Sequence, residues 1–176
     1  SLALAERFLV ACVMSFALTV GSEPFAGFRC VRRLGRSAHS ESWLVQSEEG
    51  NAHVVKCLFD AASLKHAKKL TSYRHPFLHL WDKVEINGSE LLLLADWSEA
   101  TLETRLRDSS QLDSVELLGY LKELAEALDY LHVKHRLLHG KLKPSQVGIQ
   151  HDHVKLLDWG LTDPAGLANG SWSLRD

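Results

Sequence analysis

Two short stretches decide how this chain is read. One is Tyr130-Leu131-His132 followed by His139-Gly140-Lys141-Leu142-Lys143-Pro144-Ser145-Gln146; the other is Asp158-Trp159-Gly160. In order they read as the end of an amphipathic helix, a short polar loop, two small strands, and an acidic turn closed by glycine.

This order resembles the eukaryotic-type protein kinases, where a Y-L-H helix end leads into the catalytic loop H-R-D-L-K-P-x-N, then a hairpin, then D-F-G. Arg74-His75-Pro76-Phe77-Leu78 adds to the likeness, matching a link before the fourth strand that the bacterial serine/threonine branch shares. The resemblance covers roughly residues 28–163 and implies an α+β fold: a complete small β-rich N-lobe and the first part of a helical C-lobe. The expected divisions are an apolar helical segment over residues 1–24, an N-lobe with hinge over 25–97, and a partial C-lobe over 98–176. A whole domain of this kind continues well past the acidic turn, so the chain is expected to be a piece of a longer product.

The frame is kept, but the residue that does the chemistry is not. The resemblance puts the catalytic base, an Asp that accepts the proton of the substrate hydroxyl, at Lys141. An ammonium with a reference pKa of ~10.4 has no lone pair to offer at neutral pH. His139 falls at the packing histidine of the loop and Lys143 at its phosphate-facing lysine. Gly140 replaces the Arg that meets a phosphorylated activation segment. Asp158 and Gln146 fall at the magnesium ligands, Gln146 one methylene longer than the usual Asn. The alternative for Asp158 is a local ion pair with Lys141 or Lys56.

Upstream, the resemblance reads Gly35-Arg36-Ser37-Ala38-His39-Ser40-Glu41-Ser42 as the phosphate loop G-x-G-x-x-G-x-V, with only Gly35 surviving of its glycines. Such glycines let backbone N–H groups approach phosphate closely, and Glu41 is expected to place a negative charge nearby. Lys56 falls at the third-strand lysine that reaches the α- and β-phosphates. The helix expected over residues 61–73, capped by Asp60, carries Lys65, His66, Lys68 and Lys69 and no acid, with His66 in the register of the glutamate that holds Lys56. The hinge is expected over residues 94–97, where Ala95 and Trp97 would meet adenine. Gly148 is expected to leave a gap in the floor beneath it.

Composition bounds the rest. The chain has 176 residues and a formal charge of −2, which fits a globular unit and argues against a nucleic-acid partner. Cys12, Cys30 and Cys57 fit no metal pattern and point to a reducing, cytoplasmic setting. The uninterrupted apolar run over residues 8–20 is shorter than the about 18–20 residues a spanning helix needs; it is expected to pack on protein rather than on a membrane. The spacing Leu117, Leu121, Leu124, Leu128, Leu131 predicts an amphipathic helix opened by Asp113 and Glu116. Without later helices, its stripe is expected to be an exposed apolar surface.

The functional expectation is therefore a kinase-like module with impaired catalysis that binds a protein partner or an adjacent domain. The alternatives are an active ATP-dependent serine/threonine kinase, or an ATP sensor that transfers nothing. ATP and magnesium are the cofactors that the resemblance implies.

Overall fold

The computed structural model describes residues 17–59, 61, 66–98, 100–108 and 112–162. Its contacts divide the chain into two units, one of Ser1–Ala62 with Lys83–Ala95 and one of Ser63–Asp82 with Asp96–Asp176.

Five strands form an antiparallel sheet in the order β1-β2-β3-β5-β4: β1 Phe28–Arg36, β2 Ser40–Ser47, β3 Ala52–Leu58, β4 Trp81–Asn87 and β5 Glu90–Asp96. Alternation builds β2, whose Glu41, Trp43 and Val45 point inward while Ser42 and Leu44 are half-buried, the period-2 pattern of a strand with one covered face. The run Leu91–Ala95 is buried at every position because β5 lies between β3 and β4. Phe25, Cys30, Trp43, Val45, Val55, Cys57, Leu92 and Leu94 form the core of this first unit. Burial, reinforced by Glu90 and Glu41, pushes the Cys57 thiol up to about 12, and burial also raises Cys30. Both are free, buried thiols and chemically quiet. Cys12 lies outside the described residues.

The second unit is built on α1 (Leu102–Asp108), α2 (Ser114–Asp129, continued by a wider turn over Tyr130–Lys134) and a small sheet of β6 (Ala100–Thr101), β7 (Val147–Gln150) and β8 (His153–Leu156). Asp113 caps α2 by accepting from Val115 N at 3.3 Å, as its spacing predicts. Thr101 and Thr104 cap α1 reciprocally, each hydroxyl accepting the other's N–H. Glu123, on α2, takes Val154 N at 2.9 Å and His153 Nδ1 at 2.6 Å, which docks β8 on the helix. On its other side β8 pairs with the link before β4, through Leu156 N to Phe77 O and His79 N to Leu156 O.

Four expectations change. Residues 17–24 contain no helix, so the apolar N-terminal helix does not extend through them; residues 1–16 lie outside the described residues. In place of an α-helix over residues 61–73, the described part is a 3-10 helix, Ala67–Ser72. His66 gives it no side-chain cap, and Ser72 Oγ and Arg74 Nη1 cross-link back to its last carbonyls. Asp60 and Lys65 lie outside the described residues. β5 persists through Asp96, so Leu94 and Ala95 are buried strand rather than hinge. Finally, α2 turns Tyr120, Leu124 and Ala127 inward, while Leu121 is 51% exposed beside Val115 at 75% and Leu118 at 68%. No helix among the described residues is long and apolar enough to cross a membrane.

The end of the helical run shows how closely it is specified. Arg136 has φ of 58°; its N–H reaches His132 O, the single bond of an αL cap, and Leu137 N reaches back to Leu131 O. Arginine bears a steric cost of about 1–2 kcal/mol in that region which glycine escapes. Arg136→Gly is expected to raise unfolding free energy by about 0.5–1 kcal/mol after glycine's entropy cost, read from urea denaturation of the full chain.

Candidate functional site

The acidic turn is positioned by the indole of Trp159. Trp159 is fully buried and donates from Nε1 to His79 O at 2.6 Å. His79 in turn bonds Asp96 O through Nε2 at 2.7 Å, and Trp81 Nε1 reaches Trp159 O at 3.4 Å. Tyr73 packs edge-on against the Trp159 ring at 5.8 Å. Asp158 immediately precedes this anchor, with φ of 53°. Gly160 follows with φ of 74°, and a Cβ there would come within 2.7 Å of Leu70 Cδ2, so the close of the turn requires glycine. His66 Nε2 meets Gly160 O at 2.6 Å, which ties the residue just before the 3-10 helix to the turn.

The loop over residues 139–146 is tied to the same strand. His139 Nε2 donates to Leu157 O at 2.8 Å, and its Nδ1 accepts Lys141 N at 3.4 Å, which assigns the neutral Nε2–H tautomer. Leu157 N reaches Gln146 O at 2.9 Å, and Gln146 Nε2 donates to Asp158 Oδ2 at 3.3 Å. Lys141 and Lys143 are exposed. Gln146 Oε1 is buried without a hydrogen-bond partner, an acceptor beside a carboxylate, which is the donor set a hard divalent cation takes.

In the first unit, Lys56 is half-buried on β3, opposite Ser42 of β2, which is where the resemblance puts the strand lysine relative to the phosphate loop. Gly35 sits in β1 across from Ser42 as well. Between them the loop is closed on itself: Ser37 Oγ accepts His39 N at 3.2 Å and Ser40 N at 3.1 Å, and Ser37 N reaches Ser40 O at 2.7 Å. Glu41 does not project toward a phosphate as expected. It is 4% exposed on the inner face of β2 and pairs with Arg36 at 3.3 Å, because the strand alternation sends it inward. Ala95 is buried in β5 and Trp97 is half-buried just after it.

Gly148 leaves no gap. A Cβ there would lie 2.8 Å from Ser98 Oγ and 3.1 Å from Leu157 Cδ2; neighbouring side chains have taken the room. Sequence reasoning missed Ser98 in this role, and also missed His79. The signal for His79 was an isolated polar residue between Leu78 and Leu80 in an apolar link, since a buried polar side chain needs a partner.

Two measurements test this anchoring. Trp159→Phe restores an aromatic ring but strands His79 O, and is expected to cost about 1–3 kcal/mol in urea denaturation at neutral pH. Burial lowers the His79 pKa, against upward pulls from its bond to Asp96 O and from Asp158, Asp96 and Asp82; His75 and His135 are also lowered, chiefly by burial. A lowered imidazole pKa means the unfolded chain binds more protons below the reference value of about 6.5, so stability is full above that pH and is lost on acidification. The thermal midpoint is expected to fall between about pH 7 and pH 5, and His79→Gln to flatten that slope without removing it.

A family model described as "Protein kinase domain" matches residues 30–169. The chain is 28% identical over 119 residues to the dual specificity protein kinase Ttk of Danio rerio, with 68% of this chain and 12% of that protein aligned. It is 30% identical over 155 residues to the cAMP-dependent protein kinase catalytic subunit of Arthrobotrys oligospora, with 81% of this chain and 30% of that protein covered. It is 27% identical over 146 residues to the serine/threonine-protein kinase greatwall of Mus musculus, covering 77% of this chain and 17% of that protein. The chain thus spans under a third of the length of these relatives. With a match over most of its residues, and a five-stranded antiparallel sheet followed by the start of a helical unit, the chain belongs to the protein kinase domain family.

Proposed function

We propose that this chain is a protein kinase-fold module that does not transfer phosphoryl groups and acts by binding a protein partner or a neighbouring domain. The observation that carries the reading is the exposed ammonium of Lys141, where the resemblance puts the general base. Residues 139–146 include no carboxylate. Phosphoryl transfer leaves the protein little covalent work beyond positioning and charge, so placing a cation where a proton must be accepted removes a step that its neighbours do not supply.

The metal ligands fare better than the base. Asp158 and the unpartnered Oε1 of Gln146 are the atoms this unit offers magnesium, which when bound would draw nucleotide phosphates toward Asp158. The phosphate loop offers less, because the Ser37 hydroxyl already occupies two of its N–H groups. The exposed apolar face of α2, with Val115, Leu118 and Leu121, supports the binding half of the reading, since contiguous exposed apolar surface marks contact with another protein. No feature of charge or sequence favours a nucleic-acid partner.

The full chain is expected to show no phosphoryl transfer to itself or to a generic protein substrate with Mg·ATP, and no rise in thermal midpoint with added nucleotide. Transfer that is abolished by Asp158→Ala would establish an active serine/threonine kinase instead. A raised midpoint without transfer would establish a nucleotide sensor.

A further inference from the structure

We propose that Thr162 is a positioning latch for the loop over residues 139–146, seated in the space that a side chain at position 140 would occupy. Thr162 Oγ1 donates to His139 O at 2.5 Å. A Cβ built on Gly140 would lie 2.6 Å from Thr162 Cγ2, 3.0 Å from its Oγ1 and 3.1 Å from its Cβ. The whole threonine side chain therefore lies against a backbone that carries no side chain of its own. Gly140 has φ of 76°, a conformation that other residues adopt only under strain. Backbone and neighbour are fitted to each other: glycine makes both the room and the turn, and threonine fills the one and fastens the other.

The latch acts on the N-terminal end of the loop, through the His139 carbonyl. The C-terminal end is fixed by Leu157 N to Gln146 O at 2.9 Å and by Gln146 Nε2 to Asp158 at 3.3 Å. At the N-terminal end, the His139 ring is fixed through Nε2 to Leu157 O and Nδ1 to Lys141 N, and Thr162 captures the carbonyl of the same residue. The peptide unit that leads into Gly140 and Lys141 is thereby held from the segment just after the acidic turn. No phosphate group and no metal is required for this tie. Residues 161–162 and the loop are thereby tied together, and Thr162 sets how Lys141 is presented to solvent.

Hydrogen exchange on the full chain tests this, with Thr162→Val removing the hydroxyl at nearly constant volume and Thr162→Ser keeping it. Exchange at residues 140–143 is expected to run about 2- to 10-fold faster in Thr162→Val and close to the parent rate in Thr162→Ser. Equal rates in all three chains, or equal acceleration in both variants, would overturn the latch. Gly140→Ala provides a second readout. It is expected to accelerate the same segment, and Thr162→Ser, which removes the nearest clashing atom, to relieve part of that effect; strictly additive effects of the two changes would count against the proposal.

Discussion

Everything around the acidic turn depends on one indole kept dry and bonded. A buried N–H without an acceptor costs about 1–3 kcal/mol, so Trp159 fits its enclosed position only because His79 O stands 2.6 Å from Nε1. That carbonyl is in place because the link before β4 pairs with β8 on both sides of Leu78, and because the His79 ring is pinned to Asp96 O. Asp158 and Gly160 are then the two ends of an anchored residue, and their unusual backbone angles are imposed by it. The place of the Asp158 carboxylate follows from this packing.

Much of the fold was open to reading from the residues. β2 and β5 carry patterns, alternation in the one and a continuous apolar run in the other, that report directly which faces are covered. Asp113 worked because caps depend on local chemistry. Where the structure departs from the pattern, the cause is tertiary. The leucine spacing of α2 is symmetrical enough that Leu121 could face either way, and Tyr120, whose hydroxyl bonds Glu116 at 2.7 Å, took the inner face. Ala67–Ser72 tightened to a 3-10 helix, its N-terminal histidine engaged with Gly160 instead of capping.

The site divides along the same line. Gln146 and Asp158, close in the motif, do meet, with Gln146 Nε2 donating to Asp158 Oδ2 at 3.3 Å. Glu41 and Gly148 were misjudged because their effect depends on what lies across from them. For Glu41 that was an inward strand face and Arg36; for Gly148 it was Ser98 and Leu157. A substitution to glycine reads as lost volume in a sequence, yet interiors are close-packed and neighbours move in. Tyr120, raised to about 12 by burial and by its bond to Glu116, belongs to the same class: its state is set by context that a linear pattern does not carry.

Ser37 carries a consequence for anions in general. Its hydroxyl is covalently attached to the backbone whose N–H groups it occupies, so it acts as a resident competitor whose effective concentration stays constant when the solution is diluted; tethered groups over short spans reach the millimolar range. An incoming oxyanion must first evict this internal occupant. Two of the loop's N–H groups are thus engaged from within the chain itself.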